Sequence, residues 1–155
     1  MMQTGKNLFL LMMLVIAFAI PEVTAQDVKA DDILGFWLNE EKDGKVEIYN
    51  ENGKYSGKLV WLKNPLDDKT GKPKLDKENP DSELKKRALK GVILMHGFEF
   101  NHGEWENGKI YDPKNGKTYS CYLKLESPDR LKVRGYIGFS WIGRTTYWTR
   151  TTLNN

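Results

Sequence analysis

Two histidines and two nearby glutamates are the residues whose types and spacing offer the most obvious chemistry. His96 and His102 are the only histidines among 155 residues, and Glu99 and Glu104 stand close to them. Imidazole and carboxylate groups together can bind a metal ion or transfer protons. However, His96 falls in a strand-like run and His102 in a turn, so the side chains should project in different directions. We therefore predict no metal site, no cofactor and no catalytic residue.

Other catalytic signatures are missing from the sequence. It contains no Gly-x-Ser-x-Gly, no His-Glu-x-x-His and no Cys-x-x-Cys motif. The single cysteine, Cys121, lies in an alternating run that should point it inward, which favours a buried thiol over a reactive one. An enzyme that uses Glu99, Glu104 or His96 is accordingly the least favoured function.

The first 25 residues have the organisation of a secretory signal peptide. Lys6 precedes an apolar run at residues 8–20, Pro21 breaks that run, and Val23 and Ala25 place small side chains at the two positions that a signal peptidase reads. The apolar run is shorter than the about 20 residues of a membrane span. We expect residues 1–25 to be cleaved and residues 26–155 to form one exported domain, periplasmic or extracellular, with no stable membrane span.

The net charge of the chain is only mildly basic. It amounts to +3 with a pI near 8.8, and the basic residues are not concentrated on one predicted face. A nucleic-acid partner is therefore not expected. The sequence does not indicate an oligomeric state.

The pattern of the mature chain is β almost throughout. Residues 117–126 alternate, with Tyr119, Cys121 and Leu123 on one face and polar side chains on the other. Asn-Gly pairs that favour tight hairpin turns occur at positions 52, 107 and 115. Strands joined by hairpins form a meander, and about eight of them can close into a barrel. We predict an all-β, antiparallel up-and-down barrel.

One polar stretch, residues 63–91, interrupts the strand pattern and is too long for a simple connection. Within it, Asn79 and Pro80 could begin a short helix that Gly91 ends. We expect this capping loop, with its short helix, to lie over one end of the barrel. Its basic residues Lys86 and Arg87 are most simply solvated, yet they are candidates for an anion contact at the rim.

Three residues near the ends of the mature chain resemble the closing motif of lipocalin-like barrels. Gly35 stands two positions before Trp37, and Arg150 lies in the last predicted strand. In such barrels a Gly-x-Trp opens the first strand and an arginine of the last strand packs on the tryptophan. The resemblance implies that Gly35, Trp37 and Arg150 close the barrel floor.

A longer resemblance covers nearly the whole mature chain. The segments "DDILGFWLNEEKDGKVEIY", "GKLVWLKNPLD" and "LKVRGYIGFSWIGRTTYWTR" are similar to successive blocks of the bacterial secreted family known as domain of unknown function 2147. That resemblance implies an exported, lipocalin-like, calycin-type barrel without an established activity. At Ser140 and Trp141 the sequence departs from the small aliphatic residues expected of the family.

The many aromatic residues are either packed core or the lining of a cavity. An eight-stranded barrel is about wide enough to be filled by side chains or to hold one small ligand. Our candidates for a cavity are Trp61, Phe98, Tyr119 and Trp148. The favoured function is binding of a small apolar or amphipathic molecule in the cell envelope. The alternative is a packed barrel that binds protein or polysaccharide through an exposed face.

Overall fold

Eight antiparallel strands form a closed barrel in the computed structural model, which describes residues 27–154. The strands are β1 (Gly35–Leu38), β2 (Gly44–Glu51), β3 (Lys54–Leu62), β4 (Ile93–Asn101), β5 (Glu104–Asp112), β6 (Lys117–Ser127), β7 (Arg130–Tyr136) and β8 (Gly143–Thr151). Each strand pairs with the next along the chain, and β8 pairs with β1 to close the barrel. The predicted all-β up-and-down architecture is confirmed.

The predicted signal peptide, residues 1–25, lies outside the described residues. Within residues 27–154, no helix is long and apolar enough to cross a membrane.

Two of the three predicted Asn-Gly turns join strands, and the third does not. Asn52 and Gly53 have φ angles of 54° and 82° at the β2–β3 turn, and a type I′ hairpin turn requires positive φ at both of these positions. The prediction for position 107 is wrong, because Asn107 and Gly108 lie inside β5. The register with β6 shifts there, so the pair forms a bulge, in which positive φ is also tolerated.

One end of the barrel is closed by large side chains. A 3-10 turn, Ala30–Ile33, precedes β1 at this end. The indole N–H of Trp37 donates to the carbonyl of Ile33 at 2.8 Å, and that of Trp105 donates to Ala30 at 3.1 Å. Trp37, Trp105 and Phe98 are fully buried, so this half of the interior is packed core. We refer to it as the floor.

The long capping loop connects β3 to β4 at the opposite, open end. Its helical part is one 3-10 turn, Leu84–Lys86, rather than the longer helix that the sequence suggests. Asn79 does not cap a helix. Its side-chain oxygen accepts a hydrogen bond from the backbone N–H of Asp81, and its amide donates to the buried Asp76. Local polar contacts, not helix formation, therefore organise the loop.

Candidate ligand cavity

Gly35, Trp37 and Arg150 lie together at the floor. The Arg150 guanidinium stacks on the Trp37 indole, with its central carbon 4.3 Å from the ring centroid. A side chain at Gly35, whose φ is 114°, would come within 3.4 Å of that guanidinium. Glycine thus allows both this backbone angle and the close approach of the guanidinium.

The Arg150 guanidinium also ties three chain segments together. It donates to the carbonyls of Asp32, Leu34 and Pro128 at 2.6, 2.8 and 2.7 Å. The planar, five-donor guanidinium suits such divergent acceptors better than an ammonium group would. This end of the barrel is therefore fixed by stacking and by charge-assisted hydrogen bonds.

A cavity of about 680 Å³ occupies the open half of the barrel. Its inner wall is apolar and includes Leu59, Leu94, Ile110, Val133 and Trp148. Gly135 also lies on this wall, where the absence of a side chain leaves room. The volume falls within the range of about 300–1,000 Å³ that is typical of small-molecule sites.

Two of the four predicted cavity residues line this space. Tyr119 and Trp148 belong to its wall, whereas Phe98 and Trp61 do not. Phe98 is directed to the floor, where its ring lies so close to Gly108 that a Cβ there would overlap it. The prediction for Phe98 is thus wrong about its depth along the barrel axis. Its side chain faces inward, but it packs in the floor below the cavity and does not line the cavity.

Trp61 lies outside the cavity because of a bulge in the β2–β3 pair. The register shifts between Lys45 and Val46, so that Lys45 faces Trp61 while Val46 faces Leu59. The extra residue reverses the alternation, and Leu59 and Leu62 line the cavity instead. The ammonium of Lys45 lies 5.0 Å from the Trp61 ring centroid.

The mouth of the cavity carries charged side chains from several loops. Lys114 pairs with Asp43 at 3.4 Å and Arg144 pairs with Glu41 at 3.2 Å. Lys74 of the capping loop is half-buried at the cavity and forms no ion pair within the described part of the chain. It is therefore the cation most available to a ligand.

The predicted rim residues Lys86 and Arg87 do not line the cavity. Lys86 is largely exposed and pairs with Glu83 at 2.9 Å. Arg87 is engaged in the loop itself, where its guanidinium binds the carboxylate of Asp76 at 2.7 Å. The sequence predicts a helix here, whereas the structure has a single 3-10 turn, and both side chains are engaged within the loop.

Asp76 anchors the capping loop to the barrel wall. Its side chain is fully buried and accepts hydrogen bonds from Tyr111, Asn79 and Arg87. Burial alone would raise the pKa of this carboxyl, but the three donors outweigh burial and hold the pKa below its usual value. For Tyr111, burial and the hydrogen bond to the Asp76 carboxylate raise the pKa to about 12. The pair therefore stays as tyrosine and carboxylate near neutral pH.

The residues considered for catalysis remain dispersed. His96 and His102 are both exposed, the first on β4 and the second in the β4–β5 turn. Glu99 pairs with Lys54 and Glu104 pairs with Lys124 on the outer surface. Within residues 27–154 no cluster of three metal-ligating side chains is found. Cys121 is buried, and burial raises the pKa of its thiol.

Comparisons with known proteins agree with this geometry. A family model described as "Uncharacterized protein conserved in bacteria (DUF2147)" matches residues 35–150. A solved structure is similar, with a TM-score of 0.67, 26% sequence identity, and coverage of 81% of this chain and 85% of that chain. It is described as protein HP1028 from the human pathogen Helicobacter pylori, which belongs to the lipocalin family. A search of curated proteins found no match. The predicted family and the lipocalin-like fold are thus confirmed.

Proposed function

We propose that this chain, which belongs to the DUF2147 family of bacterial proteins, binds a small amphipathic molecule in the open half of its barrel. The observation that carries the proposal is the cavity of about 680 Å³ above a packed floor. A barrel that only served as a scaffold would gain stability by filling this space with side chains. At Gly135, where a side chain would meet Ile110 and Tyr119 only at 3.6 and 3.8 Å, the wall is instead left open.

The lining supports a ligand with an apolar tail and a polar or acidic head. The wall deep in the cavity is aliphatic and aromatic, which favours a hydrocarbon chain. At the mouth, Lys74 and the Tyr119 hydroxyl offer polar contacts, although Tyr119 already accepts a hydrogen bond from Asn115 at 3.0 Å. An acidic head would interact with Lys74 without breaking an existing ion pair.

A fluorescence titration tests the proposal. Palmitate should quench the intrinsic tryptophan fluorescence saturably, with a Kd in the micromolar range or lower, about −8 kcal/mol. Trp148 lies on the cavity wall, so Trp148→Phe should remove most of the signal while the protein stays folded. If the folded protein binds neither palmitate nor cetyl alcohol saturably, the proposal is contradicted. That result would favour the alternative, a barrel that binds protein or polysaccharide through an exposed face.

The contribution of Lys74 is separable from that of the other basic residues. Lys74→Ala should weaken palmitate binding about tenfold and leave cetyl alcohol nearly unchanged, because only the carboxylate gains from the ammonium. Lys86→Ala is the matched control, since Lys86 belongs to the same loop but lies away from the cavity. Equal effects of the two substitutions would show that the head does not bind at Lys74.

We further propose that the protein acts after export, in the cell envelope. The support is the charged, apolar and cleavable organisation of residues 1–25. N-terminal sequencing of the protein isolated from its host should give Gln26 as the first residue. Recovery of a chain that still begins at Met1 would contradict export by cleavage.

A further inference from the structure

The loop between β7 and β8, residues 137–142, presents an apolar surface to solvent. We call it the apolar tip. Its large side chains are more than half exposed, namely Ile137 at 65%, Phe139 at 59%, Trp141 at 73% and Ile142 at 57%. Phe139 and Trp141 stack face to face, with ring centroids 4.5 Å apart. Exposed aromatic clusters of this kind mark interaction sites on soluble domains.

Hydrogen bonds hold the tip in its outward position. The backbone N–H of Ile137 donates to the carbonyl of Ile142 at 3.2 Å, and the backbone N–H of Ile142 donates to the carbonyl of Phe139 at 2.9 Å. The Arg134 guanidinium adds two bonds to the carbonyl of Ser140, at 3.0 and 2.9 Å. The aromatic side chains are therefore presented by an ordered turn.

The two strands that carry the tip contribute only basic charges beside it. From residue 130 to the end of the chain the sequence contains no Asp or Glu. Arg134 and Arg144 flank the tip, and Arg144, although it pairs with Glu41 at 3.2 Å, keeps 75% of its side chain exposed. An apolar tip flanked by arginines is complementary to a surface that is apolar inside and anionic outside.

The tip also connects with the cavity. Ile137 and Ile142 belong to both the exposed surface and the lining of the mouth. Apolar surface therefore runs from Phe139 and Trp141 into the interior without an intervening charged side chain on this loop. A partner that covers the tip would lie directly at the entrance.

We propose that the apolar tip docks the open end of the barrel onto an anionic lipid bilayer, with Phe139 and Trp141 in the interface and Arg144 at the headgroups. The tip comprises six residues, whereas a stable protein–protein interface needs about 800 Å² from each partner. Tryptophan and phenylalanine on a small convex tip suit the boundary between headgroups and acyl chains. Docking does not depend on what the cavity binds, although it would bring the mouth to a source of amphiphiles.

Vesicle sedimentation tests this proposal. The protein should be a chain that begins at Gln26, because residues 27–154 contain the whole barrel and the apolar run at residues 8–20 would bind lipid by itself. Vesicles of phosphatidylglycerol and phosphatidylcholine should bind this protein more tightly than phosphatidylcholine alone, and salt should weaken the binding. Binding should also shift the tryptophan emission to the blue, a shift that Trp141→Phe reduces.

Substitutions at the tip separate docking from cavity binding. Phe139→Ser with Trp141→Ser should lower vesicle binding at least tenfold and leave palmitate binding in solution unchanged. Arg144→Gln should weaken binding to vesicles that contain phosphatidylglycerol and leave binding to vesicles of phosphatidylcholine alone unchanged. Leu153→Ser is the control, since Leu153 is 42% exposed after the end of β8 and does not belong to the tip or the cavity lining, and it should change neither property.

Either of two results would overturn the proposal. One is a folded wild-type protein that does not bind anionic vesicles, whether or not it self-associates through the tip. The other is a tip variant that binds vesicles as well as the wild type does. Loss of palmitate binding with vesicle binding retained would contradict only the proposed function of the cavity.

Discussion

At the scale of single residues, Arg150 combines roles that few side chains can replace. It stacks on a buried indole and donates to three carbonyls from two other segments. Arg150→Ala would leave these acceptors without a charged donor, so we expect the free energy of unfolding to fall by about 2–3 kcal/mol. Arg150→Lys should recover only part of the loss, because an ammonium cannot reach all acceptors at once. Urea denaturation measures both values.

Arg130 provides a matched control for this prediction. Its guanidinium also covers an aromatic ring, that of Tyr147 at 4.1 Å, and it pairs with Glu126. Both members of that ion pair are substantially exposed, so Arg130→Ala should cost less than about 1 kcal/mol. Equal losses for Arg130→Ala and Arg150→Ala would contradict the special role of Arg150 at the floor.

The buried Asp76 carboxylate predicts a pH dependence of stability. Its folded-state pKa is lowered, so the stabilisation is present above the unfolded value of about 3.9 and is lost as the pH falls through the folded value. Asp76→Asn should reduce the free energy of unfolding at pH 7 by about 2–3 kcal/mol. The difference between wild type and variant should shrink below about pH 4. A difference that stays constant from pH 7 to pH 3 would contradict this linkage.

At the scale of strands, the β5 bulge and Gly108 set the division between floor and cavity. The ring of Phe98 occupies the space where a Cβ of residue 108 would stand. Gly108→Ala should therefore destabilise the barrel by about 1–3 kcal/mol through overpacking. Gly135→Ala is the control, because its Cβ would meet Ile110 at an ordinary 3.6 Å, and it should change thermal stability little. Similar melting temperatures for both variants would contradict this packing.

The same bulges explain what the sequence could and could not predict. Alternation identified β6 correctly, because Tyr119, Cys121 and Leu123 keep one face throughout an unbroken run. It failed for Trp61, since a bulge reverses the alternation without any marker in the residues that precede it. The Asn-Gly pair at position 107 has the same backbone preference in a turn as in a bulge.

The candidate site shows the same limit. Tyr119 and Trp148 were predictable from their faces, but depth along the barrel axis, which separates Phe98 from the cavity, depends on packing between distant strands. Lys74 was missed because the capping loop has no periodic pattern. Its position depends on the anchoring of Asp76 by Tyr111 and Arg87. Such contacts between distant segments leave little trace in a single sequence.

At the scale of the whole molecule, the barrel is divided into a solid floor and a hollow open half. Trp37, Phe98 and Trp105 fill the first, and the second leaves about 680 Å³. Gly135→Leu would place a branched side chain in that space, while its Cβ meets Ile110 and Tyr119 only at ordinary contact distances of 3.6 and 3.8 Å. We expect this variant to remain folded by circular dichroism but to lose palmitate binding at least tenfold. Undiminished binding would place the ligand outside the cavity.

The most direct test of the account is methyl-group NMR of the chain beginning at Gln26 during a titration with palmitate. The methyl resonances of Leu59, Leu94, Ile110 and Val133 should shift saturably, because these side chains form the cavity wall. The methyl groups of Ile33, which is fully buried at the floor, should change little. Shifts confined to the outer surface, or no saturable shift at any of the four wall residues, would contradict an amphiphile-binding barrel.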